Sequence, residues 1–207
     1  MLDKRELILR CAARLFRVNG YAAVSMRNIA SEAGMTTGSL YYYFRQKDEI
    51  VAEILDTGHR RVHSEVMRAI SSLGPDASGS ERIRAGIRSH LGALFEEDGF
   101  PAANVRIFAH VPKHVRDQVR TSRRAYERYW MTLLANAEIS ERVGSKELTM
   151  FLFGAANWTL DWYREGRDSL DEIAESLATV FFSSIANRQS LSRDVVPRIA
   201  KAGRRVA

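Results

Sequence analysis

The sequence predicts an all-α chain of about nine helices, divided between a small N-terminal head and a larger helical bundle. Three observations carry that prediction. Apolar residues recur three and four positions apart along most of the 207 residues, and no stretch sustains the strict alternation of a half-buried strand. Only four prolines are present, so long helical stretches run without an interior breaker. Finally, residues 25–47 read as two short helices joined by a glycine turn, the spacing of a helix-turn-helix.

The elements follow in order. A first helix is predicted over 4–18, burying Ile8, Cys11, Ala12, Leu15 and Phe16, with Asn19-Gly20 closing it. Ser25 can cap a second helix, because its hydroxyl accepts a bond from a free amide of the first turn. Met26, Ile29, Ala30 and Ala33 then form its inward stripe. Gly34 supplies the turn, where a positive φ costs glycine least. Thr36 is the N-cap of a third helix ending near Phe44, anchored by Leu40 and Phe44. A fourth helix over 47–73 places Asp48 and Glu49 at its positive end and turns Ile50, Ile54 and Leu55 inward. Gln46 is a weak N-cap for it.

Residues 74–80, Gly-Pro-Asp-Ala-Ser-Gly-Ser, form the clearest break in the chain. Beyond it, helices are predicted over 80–95, 102–110, from Pro112 through Leu134, over 146–164 and over 169–187. The stretch 148–162 is apolar nearly all the way round, so it needs burial on two sides. Its own domain supplies one side. A second copy of the chain would supply the other, through a four-helix interface made by the last two helices of each subunit.

The third helix is unusual for a purely structural element. Thr36, Thr37, Ser39, Tyr41, Tyr42 and Tyr43 crowd it with hydroxyls that can meet phosphates or base edges. Gly38 costs it roughly 1 kcal/mol relative to alanine, yet lets the backbone approach another surface closely. It holds no Arg, Asn or Gln, so bidentate reading of guanine or adenine is not available from it. Thymine methyls, water and DNA shape would then carry specificity.

Residues 7–55 resemble the N-terminal domain of the TetR family of transcriptional regulators. The resemblance rests on Ile8-Leu9, Ala12, Leu15-Phe16, Gly20-Tyr21, Ser25 to Ala30, Ala33-Gly34, Gly38 to Phe44 and Lys47. It implies a TetR-like fold in which the third helix enters the major groove. It places Thr37, Gly38, Ser39 and Tyr43 near bases or adjacent backbone, and Ser25, Arg27, Tyr41, Tyr42 and Lys47 on phosphates; Thr36 joins these DNA-binding candidates through its hydroxyl. Paired heads in a dimer, about 34 Å apart, suit a two-fold operator.

The C-terminal half resembles family members that respond to fatty-acyl or steroid-derived acyl-CoA thioesters. That likeness rests on Pro112, Arg116, Val119, Arg123, Tyr126-Glu127, Trp130 and Leu133-Leu134, and on residues 154–158 with Trp162-Tyr163-Arg164. The family's usual Pro-Gly after that last arginine is here Glu165-Gly166. The candidate effector residues are aromatic or polar groups on otherwise apolar stretches: Arg106, Phe108, His110, Tyr126, Trp130, Phe153, Asn157, Trp158, Trp162 and Arg164. Arg106 or Arg164 would meet the acidic groups of a CoA-linked effector.

Charge distribution supports this division. Residues 1–50 hold eight Lys/Arg against five Asp/Glu, and residues 188–207 hold six against one, leaving the middle slightly acidic. A basic head suits phosphate contact. The domains are therefore read as 1–46 for DNA, 47–187 for effector and dimer contacts, and 188–207 as a flexible basic tail. A single cysteine, Cys11, excludes an intrachain disulfide framework and suits a reducing compartment. No apolar run is long enough to span a membrane, and the first residues lack a secretory apolar stretch, so the cytoplasm is the expected location. His59 and His63, and His110 and His114, stand four apart without a completing ligand, and read as solvated helix histidines. No metal and no cofactor is expected.

The reading is a homodimeric repressor released from its operator by a small molecule. A DNA-binding dimer without an effector stays open beside it. An all-α enzyme is disfavoured, because no nucleophile elbow, phosphate loop or metalloprotease motif occurs.

Overall fold

A computed structural model describes residues 3–137 and 144–186. The tail expected at 188–207 lies outside the described residues. The described residues form ten helices: α1 (Lys4–Ala23), α2 (Met26–Glu32), α3 (Thr37–Tyr43), α4 (Lys47–Ser71), α5 (Gly79–Leu94), α6 (Phe100–Ile107), α7 (Lys113–Gln118), α8 (Arg120–Asn136), α9 (Ser145–Trp162) and α10 (Leu170–Ala186). No strand occurs among the described residues.

The differences from expectation have local causes. Gly20 sits at φ 74° and ψ 174°, so the first straight segment ends where predicted, but a further turn continues to Ala23. Helix α5 starts one residue earlier because Ser78, not Ser80, forms a capping box. Its Oγ accepts from Glu81 N, while Glu81 accepts from Ser78 N at 2.8 Å. Left-handed Gly99 lets α6 begin at Phe100, with Pro101 in the first turn where its missing N–H costs nothing. The single helix expected after Pro112 is two, α7 and α8, broken at Val119 (φ −95°, ψ 6°). That break turns the chain from one core to another, which is why the described residues form ten helices where nine are expected.

Two hydrophobic cores result. The head packs Ile8, Ala12 and Phe16 against Ile29, Leu40, Phe44, Ile50, Ile54 and Leu55. Phe100, Ala103 and Ile107 of α6 and Val115 of α7 complete that same core. The body packs Val62, Val66 and Ile70 of α4 against Ile83, Ile87, Leu91, Tyr126, Trp130, Leu134, Leu152, Ala174 and Ala178. Helix α4 runs through both, over a length of about 37 Å at 1.5 Å per residue. Arg61 on it bonds Glu6 of α1 and Asp98 before α6, with its guanidinium 4.6 Å above the Phe100 ring.

Candidate DNA-binding surface and effector cavity

The helix-turn-helix is built by short-range bonds. Ser25 Oγ accepts from Asn28 N at 3.2 Å, and Asn28 Oδ1 accepts from Ser25 N at 2.9 Å, fixing the start of α2. Gly34, at φ 66°, turns the chain, and Met35 N donates to Ala30 O at 3.0 Å. Thr36 Oγ1 accepts from Ser39 N at 3.1 Å and bonds the Ser39 hydroxyl at 2.9 Å. Leu40 and Phe44 are fully buried, so the rest of α3 faces outward. Tyr42 is 87% exposed and Tyr41 50%, while Tyr43 is half-buried with its ring edge-on to Tyr42. Arg27, Gly38 and Ser39 are exposed, and Thr37 is partly covered.

Lys47 is more engaged than the sequence suggests. Its Nζ donates to Tyr21 O and Val24 O, both at 2.9 Å, and lies 3.9 Å from the Tyr21 ring centroid. An ammonium has three hydrogens, so one remains for a phosphate. Lys47→Ala is therefore expected to lower head stability and to reduce the slope of log affinity against log salt by about one phosphate contact. Fluorescence anisotropy across a salt series, with a thermal melt of the same variant, checks both.

In the body, a cavity of about 270 Å³ opens between α4, α5, α6, α8 and α9. Of the ten effector candidates, Phe108, Tyr126, Phe153 and Asn157 line it. The other six do not. Trp130 is fully buried behind the wall, edge-on to Tyr126 and Phe153. Arg106 is spent on a bridge to α9, donating to Asp161 Oδ1 at 2.7 Å and Leu160 O at 2.9 Å. Arg164 is exposed and donates to Tyr163 O and Asp161 O. His110 is exposed in the turn after α6. Trp158 (63% exposed) and Trp162 (46%) lie on the opposite side of α9, in a separate groove against α10.

The cavity is also lined by His59, His90 and Asn104, which the sequence reading missed, and by Arg123 and Glu127, which belong to the acyl-CoA motif but not to the candidate set. His59 and His63 are turned inward, not solvated. They share the face of α4 that carries Val62 and Val66, and His59 packs edge-on to Phe108 while His63 packs on Tyr126 and Tyr129. His90 continues the stripe of Ile83, Ile87 and Leu94, a spacing visible in the sequence. It bonds the Tyr126 hydroxyl through Nδ1 at 2.7 Å and Asn157 Oδ1 through Nε2 at 3.1 Å. Its ring, the Tyr126 ring and the Phe153 ring lie within 15° of parallel. Arg123 Nε donates to Glu127 Oε1 at 2.7 Å, and its guanidinium sits 4.2 Å from the Phe108 centroid. Asn104 donates to Leu55 O at 2.8 Å, and Gly58 lets α6 approach α4, since a Cβ there would stand 2.8 Å from Phe100 O.

Burial pushes the pKa of His59 down to about 4, helped by the Arg123 charge, and burial alone takes His90 to about 4. Both are neutral near pH 7. As pH falls below 6.5 the unfolded chain binds protons that these two folded-state histidines refuse until about pH 4, so their contribution to stability falls across that window and levels off beneath it. The loss is expected to be about 2 kcal/mol per histidine at pH 5. Urea denaturation at pH 7.5 and pH 5 measures it, and His90→Gln should shrink the difference.

A helix-turn-helix head with an exposed hydroxyl-rich third helix, joined to a helical body enclosing a cavity, defines a DNA-binding transcriptional regulator. The bacterial regulatory proteins of the tetR family match over residues 8–54, and the tetracyclin repressor-like C-terminal domain matches over residues 76–185. The chain belongs to the TetR family, whose members regulate transcription and are not enzymes. A TetR/AcrR-family regulator from Thermobifida fusca YX-ER1 is 30% identical, with 87% of this chain and 97% of that one covered at a TM-score of 0.60. AibR in complex with isovaleryl coenzyme A and operator DNA is 20% identical, covering 86% and 97% at a TM-score of 0.75, which establishes the shared fold. Among curated proteins, the repressor KstR2 of Mycolicibacterium smegmatis is 40% identical over 53 residues, 26% of each chain. The regulator LmrA of Bacillus subtilis is 26% identical over 100 residues, 48% of this chain and 53% of that one. The chain thus spans about a quarter to a half of these curated relatives. No helix among the described residues is long and apolar enough to cross a membrane.

Proposed function

We propose that the chain is a homodimeric repressor whose grip on its operator is set by a small molecule in the body cavity. One observation carries this reading: α6 belongs to both functional regions at once. Phe100, Ala103 and Ile107 are buried in the head core, while Pro101, Asn104, Val105 and Phe108 line the cavity. A guest that moves α6 must disturb the head it helps to build, because packed cores have few intermediate arrangements. Helix α4, which contributes to both cores, is tied to α6 through the Asn104–Leu55 bond and shares the task. The guest shifts the population of head spacings by its difference in affinity for the two states.

Residues 1–46, with Lys47 at the first turn of α4, would make the DNA contacts, using Ser25, Arg27, Thr36, Thr37, Gly38, Ser39, Tyr41, Tyr42, Tyr43 and Lys47, and the rest of 47–187 would hold the effector and the partner subunit. The dimer surface would be the outer face of α9 and α10. Phe151 and Trp158 there are 65% and 63% exposed, and a Cβ on Gly154 would meet nothing within 4 Å. A protein of this kind acts in the cytoplasm, where its DNA lies. Acyl-CoA thioesters are the first effectors to try, because AibR binds isovaleryl coenzyme A and the C-terminal motifs resemble acyl-CoA-responsive members.

The experiment is a mobility shift on the chain's own upstream region, with and without a panel of acyl-CoA thioesters. Release by one thioester supports the reading. Specific binding indifferent to the panel keeps the regulator and discards the CoA effector.

A further inference from the structure

The cavity's chemistry narrows what can occupy it, granted the effector reading above. With Asn157 Oδ1 facing the ring, the hydrogen bonds around His90 run one way. Asn157 Oδ1 can only accept, so His90 Nε2 must carry the ring hydrogen in the bond of 3.1 Å. A neutral imidazole has one N–H, so Nδ1 accepts, and the Tyr126 hydroxyl donates to it at 2.7 Å. The relay therefore runs from Tyr126 to His90 to Asn157. It ends with the Asn157 side chain oriented by its oxygen. The two hydrogens on Asn157 Nδ2 have no protein partner among the described residues, and Asn157 lines the cavity.

The charges on the lining cancel. Arg123 and Glu127 form an ion pair at 2.7 Å, and the guanidinium is also covered by the Phe108 ring. No other Lys, Arg, Asp or Glu is among the described residues that line it. An anion placed inside would face the Glu127 carboxylate and would have to break an existing pair to gain a cation, while losing its own hydration. At about 270 Å³ the space falls just below the usual range of ligand sites, about 300 to 1,000 Å³. A coenzyme A nucleotide cannot enter it; only an acyl end with its thioester carbonyl could.

We infer that the cavity takes an uncharged, mainly apolar guest that presents a hydrogen-bond acceptor to the Asn157 amide, with His90 and Tyr126 as positioning residues for that amide. The same chemistry is offered by a free ester or amide and by the acyl end of a thioester, so simple probes suffice to test it.

The test uses the full chain and matched probes that differ only in the head: hexanamide and methyl hexanoate against hexanoate, and benzamide and methyl benzoate against benzoate. Calorimetry at pH 7.5 gives affinities, and thermal melts confirm folding. At least one neutral probe should bind tenfold or more tightly than its carboxylate. Asn157→Leu should weaken that neutral probe about tenfold, and Tyr126→Phe should weaken it less. The wild-type comparison decides the charge claim by itself if either variant fails to fold. Tighter binding of the carboxylates overturns the inference, as does failure of both series to bind. Neutral binding that leaves operator affinity unchanged upholds the inference and sinks the effector reading instead.

Discussion

Trp130→Ala is expected to cost about 3–5 kcal/mol of unfolding free energy, the range for emptying a large buried aromatic site. The indole is fully buried at the centre of the body core. It stands edge-on to Tyr126 at 6.4 Å and to Phe153 at 6.1 Å between centroids, so it backs the aromatic wall of the cavity. Gly86 on α5 exists in part to admit it, since a Cβ there would lie 2.8 Å from Trp130 Cη2. Rigid backbone on one side and stacked rings on the other leave little room for collapse into the void, which places the cost in the upper part of the range. Domains of this size are stable by about 5–15 kcal/mol, so the variant should be marginal at 37 °C. Urea denaturation followed by circular dichroism measures the change. A loss under about 1 kcal/mol would mean that Trp130 lines open space after all.

The head was legible in the sequence and the cavity only partly so, for a physical reason. The Ser25 cap, the Gly34 turn, the Thr36 cap and the Leu40 and Phe44 anchors are all decided within a few residues of themselves. Short-range hydrogen bonds and a 3.6-residue period write such signals directly into the chain. The cavity is lined from five helices spread over a hundred residues, so its membership depends on which face of each helix turns in. Helix α9 shows the difficulty. It is apolar on two sides, and the sequence does not tell which side meets its own core, so Trp158 and Trp162, read as effector candidates, stand in the groove against α10 and not on the cavity side. Arg106 looked unpaired because its partner, Asp161, lies 55 residues on. His90 could have been found, since it completes an inward stripe, but its relay to Asn157 spans 67 residues and exists only in the fold.

Gly38 separates what the fold requires from what DNA requires. A glycine inside a helix normally answers a steric need, and here the protein supplies none. A Cβ at Gly38 would meet only Thr36 Oγ1, at an ordinary 3.9 Å, and the backbone there is helical. Gly38→Ala should therefore leave the head as stable or raise its stability by about 0.5–1 kcal/mol, the usual gain from replacing a helical glycine. The added methyl would instead stand on the exposed side of α3, beside the most exposed tyrosine of the helix. If α3 lies with its backbone against the groove, operator affinity should drop at least tenfold, about 1.4 kcal/mol. Gly34→Ala should behave in the opposite way. Its φ of 66° is left-handed, so alanine there strains the turn by about 1–2 kcal/mol even though the space around it is empty. Thermal melts and anisotropy on both variants distinguish the two glycines: one needed for the turn, the other for the approach to DNA. Unchanged affinity in Gly38→Ala would mean that the tyrosine side chains, and not the backbone, make the closest contact with the duplex.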